Sequence, residues 1–300
     1  MFINNVTGDA NFTEGIGSIL SYKLMSYALS QVYNLSFINN PLVNVAGNEF
    51  MDLTSKQYDK EINDYFNLDF KNSTKRNKKP FDIIFGFTNK PKLSIIDNAI
   101  NHMKLDIFNN AFLRNIEKIQ KNRILSDLSQ TINDSTNQKY FKEGLNIVIH
   151  LRAPLREIDI KFEPDRNYFY GSYKDLDMVN NFIRQIEHSE KNQKLNFHIL
   201  TIGKNNTDKI STIFPENDVY VHDNLNIFET FTMMIHNDGF LAGYSNLSYV
   251  AHLLSEKRTI FPNNCFFGVK AIYPNIIRLD QRGMIERLNS ARPLQTLLTQ

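Results

Sequence analysis

From Leu145 to Leu279 the sequence alternates short apolar runs with stretches of helical spacing, and this alternation limits the fold more than any other feature. Leu145 to Leu151, Phe197 to Ile202 and Gly239 to Gly243 read as buried strands, with shorter ones at Val219 to Val221, Thr259 to Phe261 and Ile276 to Leu279. Between them, Leu176, Val179, Phe182, Ile183 and Ile186 share one helical face. That helix opens at Ser172, with Asp175 three residues on in capping-box fashion. Phe228 to Ile235 and Leu247 to Leu254 read as helices, and Met284 to Leu298 can supply a terminal one. Strand, helix, strand in this order is the α/β pattern, a Rossmann-like parallel sheet covered by helices.

The first half follows the same logic less regularly. A short run from Met1 to Val6 leads into a loop with Gly8, Gly15 and Gly17. Ile16, Ile19, Leu20, Leu24, Tyr27, Ala28 and Val32 then recur at helical spacing. Residues 35 to 81 are polar and irregular, Phe81 to Phe87 reads as a buried strand, and Met103 to Ile119 carries an amphipathic helical pattern. Periodicity is lost over residues 126 to 144, which sets the expected boundary between a domain of residues 1–140 and one of 141–300. Length agrees, since 300 residues at about 150 per domain suggest two, and 42% hydrophobic content excludes a disordered chain.

Charge and cysteine content remove several functions. A formal charge of +2 gives no global field for nucleic acid or an anionic membrane, and the basic run Lys71 to Lys79 lacks the interleaved aromatics of a nucleic-acid patch. It reads as a solvated loop. The single cysteine, Cys265, can form neither an internal disulfide nor a multi-thiolate zinc site, which fits a reducing, cytoplasmic setting. Asp9 and Glu14 interrupt what would have to be an apolar signal region, and no run of about 18 apolar residues occurs. A soluble protein without a membrane span is expected.

In open α/β sheets ligands bind beyond the carboxyl ends of the strands, so polar residues at those ends are the candidates. His150 and Arg152 lie two apart at the end of LNIVIHLR and share a face, an imidazole and a guanidinium suited to an anion. A core histidine beside an arginine paired with Glu157 or Asp159 would leave the same trace. GFLAGYSNLSYVAHLL is a strand, a Gly-containing turn and a helix start bearing Ser245, Asn246 and Ser248. That helix start suits an anion through its N–H groups and dipole, although ordinary capping uses the same residues. The opening loop TEGIGS places Glu14, Gly15 and Gly17 before a helix expected to start near Ser18. The dinucleotide fingerprint is not completed there, because position 20 is Leu20. Walker A, HExxH, paired CxxC and GxSxG motifs are missing.

Taken together, TEGIGSILSYKLMSYAL, IVIHLR and DGFLAGYSNLSYVAHLL resemble, in order and spacing, the fucosyltransferase superfamily of GT-B glycosyltransferases. The α1,2- and α1,6-fucosyltransferases and protein O-fucosyltransferases belong to it. The resemblance implies two Rossmann-like domains with parallel sheets facing a cleft, the first on the acceptor side and the second binding the donor. It implies inverting, metal-independent transfer of fucose from GDP-fucose to a glycan or glycoconjugate hydroxyl, with no cofactor beyond the donor. By position, Arg152 would bind the β-phosphate and His150 the nucleoside. Ser245, Asn246 and Ser248 would line the diphosphate, Glu229 would meet the guanine, and Glu14, beside Gly15 and Gly17, would be the base. The sequence departs from the pattern where Ala153 and Pro154 follow Arg152, and where Thr201-Ile202-Gly203-Lys204 replaces the acids that often end the next strand. Another nucleotide sugar, or a non-catalytic nucleotide- or glycan-binding protein of the same fold, therefore stays open.

Overall fold

The computed structural model describes residues 5–8, 16–34, 36–39, 55–66, 83–85, 115–129, 139–151, 173–201, 204–214, 218–243, 245–262, 276–280, 282–285 and 294–299. The chain divides into two compact units, Met1–Ile132 and Asn133–Gln300.

In the first unit β1 (Asn5–Gly8) lies between β2 (Ser36–Asn39) and β3 (Ile83–Phe85), parallel to both. Helix α1 (Ile16–Tyr33) follows β1 and buries Leu20, Leu24, Ala28 and Leu29, and its Tyr27 meets Phe37 of β2 edge to face. Helix α2 (Ser55–Tyr65) buries Ile62, with Phe66 fully covered just beyond it. Both β2 and α2 fall in the stretch expected to be irregular. A third helical stretch, residues 115–121, covers the end of the segment expected to be helical and buries Ile116 and Ile119. Helix α1 starts two residues earlier than expected, so Gly17 is buried in its first turn and does not belong to the preceding loop.

The second unit is built on one six-stranded parallel sheet. Its strands are β4 (Leu145–His150), β5 (Leu195–Leu200), β6 (Val219–His222), β7 (Gly239–Leu241), β8 (Thr259–Pro262) and β9 (Ile276–Leu279). The spatial order is β6-β5-β4-β7-β8-β9, the doubly wound order in which the chain builds outward from β4 and then restarts on its other side at β7. Parallel strands buried on both faces must be apolar almost throughout, which is why these runs were legible.

One face carries Ile147, Ile149, Phe197, Ile199 and Leu241, and it meets α3 (Tyr173–Ser189), α4 (Lys204–Ile213) and α7 (Leu294–Thr299) in a continuous core. Helix α3 supplies the predicted stripe from Leu176 to Ile186. Side chains alternate across a strand, so Asn146, Val148 and His150 point to the opposite face, as do Asn196 and His198. The helices α5 (Ile227–Ile235) and α6 (Asn246–Leu254) pack against each other, and α5 lies beside β4. The expected helix from Met284 to Leu298 does not begin at Met284 or Ile285 in the structure. Gly283 turns the chain back at positive φ, Ile285 bridges to Leu279, and the later part of the expected helix holds α7, Leu294–Thr299, with residues 286–293 outside the described residues.

Candidate functional site

The strand order reverses between β4 and β7, and in doubly wound sheets such a switch point, beyond the carboxyl ends of the strands, is where ligands bind. His150 ends β4, and Gly243 to Ser248 follow β7 and enter α6. The sequence candidates at these two places are therefore neighbours.

Gly243 makes that closeness possible. A Cβ on it would sit 2.2 Å from the carbonyl oxygen of His150 and 3.3 Å from its Nδ1, and the first is a backbone atom in the central strand. The glycine is required by close approach to β4, whereas the sequence suggested only a tight turn. Ser248 completes the junction. Its hydroxyl accepts from the N–H of Gly243 at 3.1 Å and lies 2.6 Å from Nδ1 of His150. Ser248 is fully buried and His150 nearly so. Ser245 is the N-cap of α6, in extended conformation, with its Oγ accepting from the N–H of Leu247 at 3.1 Å. Asn246 opens the helix and is partly exposed. The capping reading thus holds for Ser245, and Ser248 faces His150 from inside the protein.

Glu229 sits in the first turn of α5. Its Oε2 accepts from the N–H of Asn226, whose own side chain accepts from the N–H of Glu229, a reciprocal capping box. Its Oε1 accepts from Lys139 Nζ and from the Tyr140 hydroxyl, each at 3.0 Å. Burial works upward on this carboxyl, but the bonds from Lys139, Asn226 and Tyr140 hold it below the ordinary value. The carboxylate expected at a base is already engaged within the chain. Arg152, Glu14 and Gly15 lie outside the described residues, and Gly17 belongs to the first unit.

Beside Glu229 lies a network that the sequence did not single out. The Tyr140 ring meets His222 edge to face, and His222 stacks with His198, which also stacks on Tyr220. The amide of Asn146 donates to the carbonyls of Lys142 and Gly144, so its Oδ1 is the acceptor facing Nε2 of His198 at 3.0 Å. His198 therefore carries its proton on Nε2, and its Nδ1 accepts from Nε2 of His222 at 3.1 Å. Burial first, then the neighbouring His222 and Lys142, push the His198 pKa down to about 3, so the ring is neutral near pH 7. His222 is lowered too, chiefly by burial, with Asp223 and Glu229 pulling the other way. A histidine in the middle of the apolar run NFHIL was the available signal.

Among the described residues no three His, Cys, Asp or Glu side chains converge as a metal site would need, and no helix is long and apolar enough to cross a membrane. No protein-family model matches the sequence, and no curated protein does. Among solved structures the chain is similar to fucosyltransferases. The fucosyltransferase NodZ from Bradyrhizobium matches at 12% identity and a TM-score of 0.43, over 95% of this chain and 98% of that one. NodZ α-1,6-fucosyltransferase co-crystallized with GDP gives the same values, and the form soaked with GDP-fucose matches at 11% identity and 0.41, over 85% and 94%.

Proposed function

We propose that this protein is an inverting glycosyltransferase of the fucosyltransferase type, which uses GDP-fucose as donor and a glycan or glycoconjugate hydroxyl as acceptor, without a metal ion. The observation that carries the reading is the junction of His150, Gly243 and Ser248 at the topological switch point. Two motifs nearly a hundred residues apart in sequence meet where a doubly wound sheet binds its ligand. A nucleoside diphosphate suits that place. The ring of His150 and the capped start of α6 supply neutral donors and a positive dipole end, and Arg152, two residues beyond His150, brings a charge that cannot titrate away.

The leaving group is GDP, and charge gathers on its β-phosphate as the C1–oxygen bond stretches. Arg152 stabilises that charge, assisted by the α6 N-terminus, whose dipole contributes about 0.3–1 kcal/mol. This leaves Arg152 as the main electrostatic contributor. Glu14, in the first unit, accepts the proton of the acceptor hydroxyl as it attacks. A reducing, cytoplasmic location accords with the lone Cys265.

A second reading, transfer from another nucleotide sugar, is favoured by Ala153-Pro154 and by the sequence Thr201-Ile202-Gly203-Lys204. Calorimetric titration with GDP, GDP-fucose, GDP-mannose and UDP-sugars tests both. Tight binding of GDP and GDP-fucose with release of GDP on turnover supports the first. Preference for another sugar nucleotide supports the second, and binding without turnover in the presence of glycan acceptors reduces the protein to a binder. Binding to none of them refutes the nucleotide reading.

A further inference from the structure

The hydroxyl of Ser248 is sealed from solvent, and its hydrogen-bond partners among the described residues are Gly243 and His150. The Gly243 N–H can only donate, so Oγ accepts there. The hydroxyl proton then goes to the remaining partner, Nδ1 of His150 at 2.6 Å, because a buried hydroxyl proton with no acceptor is costly. An Nδ1 that accepts carries no proton, so the neutral ring bears its proton on Nε2. The other tautomer would aim two donors at one oxygen and strand the hydroxyl proton in the interior.

We propose that Ser248 is a positioning residue, which holds His150 as the Nε2–H tautomer and so makes the ring a donor to an oxygen of the nucleoside diphosphate at the switch point. The ligand part of this statement rests on the function proposed above. The tautomer part does not. Ser248 thereby acts through His150, in contrast to the direct diphosphate contact that the family resemblance implies for it. Gly243 is the third member of the device, since its N–H can only donate to Oγ and so leaves Nδ1 of His150 as the acceptor for the hydroxyl proton.

Long-range nitrogen–proton correlation spectra of histidine-labelled protein read the tautomer directly, with His150→Asn assigning the signal. In the wild type Nδ1 of His150 should be unprotonated and Nε2 protonated. An Nδ1–H tautomer, or an averaged mixture, overturns the proposal. Ser248→Thr keeps the hydroxyl and should keep the tautomer, with GDP affinity within about twofold of wild type. Ser248→Ala should lose the tautomer preference and bind GDP about tenfold more weakly, the size of one buried hydrogen bond. If Ser248→Ala preserves both, the proposal fails. If that variant does not fold, the wild-type and Ser248→Thr spectra still decide it. A wild type with the expected tautomer that binds no GDP overturns the nucleotide reading and leaves the positioning role standing.

Discussion

Lowering the pH from 8 to 5 should cost the second unit about 4 kcal/mol of folding stability, because two of its histidines are held neutral. Burial, with help from His222 and Lys142, pushes His198 down to about 3, and burial alone pushes His252 down to about 4, against an ordinary value of 6.5. Both groups take up protons in the unfolded chain as pH falls through 6.5, while the folded protein refuses them until far lower pH. Stability rises with pH wherever the unfolded state binds more protons, so here it is lost on acidification between about 6.5 and the folded values. From 6.5 to 5 is 1.5 units at about 1.36 kcal/mol each, or about 2 kcal/mol for each ring. His222, also lowered, adds to the loss, and Glu187, raised by burial, opposes it. Urea unfolding followed by far-ultraviolet circular dichroism at pH 8 and pH 5 measures the difference. His252→Leu, whose ring otherwise packs edge-on against Phe261, should roughly halve the pH dependence whatever its effect at pH 8. A stability that changes by less than about 1 kcal/mol across this range would refute the reasoning.

Gly243→Ala should destabilise the second unit by at least about 2 kcal/mol and weaken GDP binding, because its Cβ meets a backbone oxygen that only a shift of β4 or the turn could relieve; an alanine variant as stable as wild type in urea would contradict this. Asn226→Ala should cost about 1 kcal/mol by opening the capping box of α5, measured the same way. Arg152→Ala should slow transfer by about 100- to 1,000-fold with the fold intact, and near-normal turnover would remove Arg152 from the mechanism. Glu14→Gln should leave GDP affinity unchanged and slow transfer by about 100-fold or more; undiminished turnover would place the base elsewhere.

The strands of the second unit could be read from sequence because a parallel sheet covered on both faces tolerates few polar residues, and the runs around Ile147, Ile199 and Leu241 have few. Their ends differ by a residue or two, where a strand's last hydrogen bonds compete with the start of a loop. Helices α2 and α4 escaped for the opposite reason. Among the described side chains SKQYDKEINDY buries Ile62, with Phe66 following it, and KNNTDKISTI buries Ile210, with Phe214 following it, and both sequences hold too few apolar positions to show a period. Ile285, expected in the terminal helix, instead bridges to Leu279, a tertiary pairing that apolar spacing alone could not reveal.

For the site, His150 and Ser248 were visible as members of two motifs, but their partnership was not. It depends on β7 lying beside β4, a pairing between strands that are not consecutive in the chain. Glu229 was visible as an acid near a helix start, and its engagement with Lys139 and Tyr140 depends on where the segment before β4 packs. Asn146 and His198 passed as ordinary members of apolar runs because hydrogen bonds satisfy them from within the fold.

Hydrogen–deuterium exchange with and without GDP tests most directly whether the ends of β4 and β7 form a nucleotide site. Binding should slow exchange at residues 148–152 and 243–249 together, with the strand starts unchanged. Protection confined to other segments, or none at GDP concentrations that saturate a control nucleotide-binding protein, would contradict it.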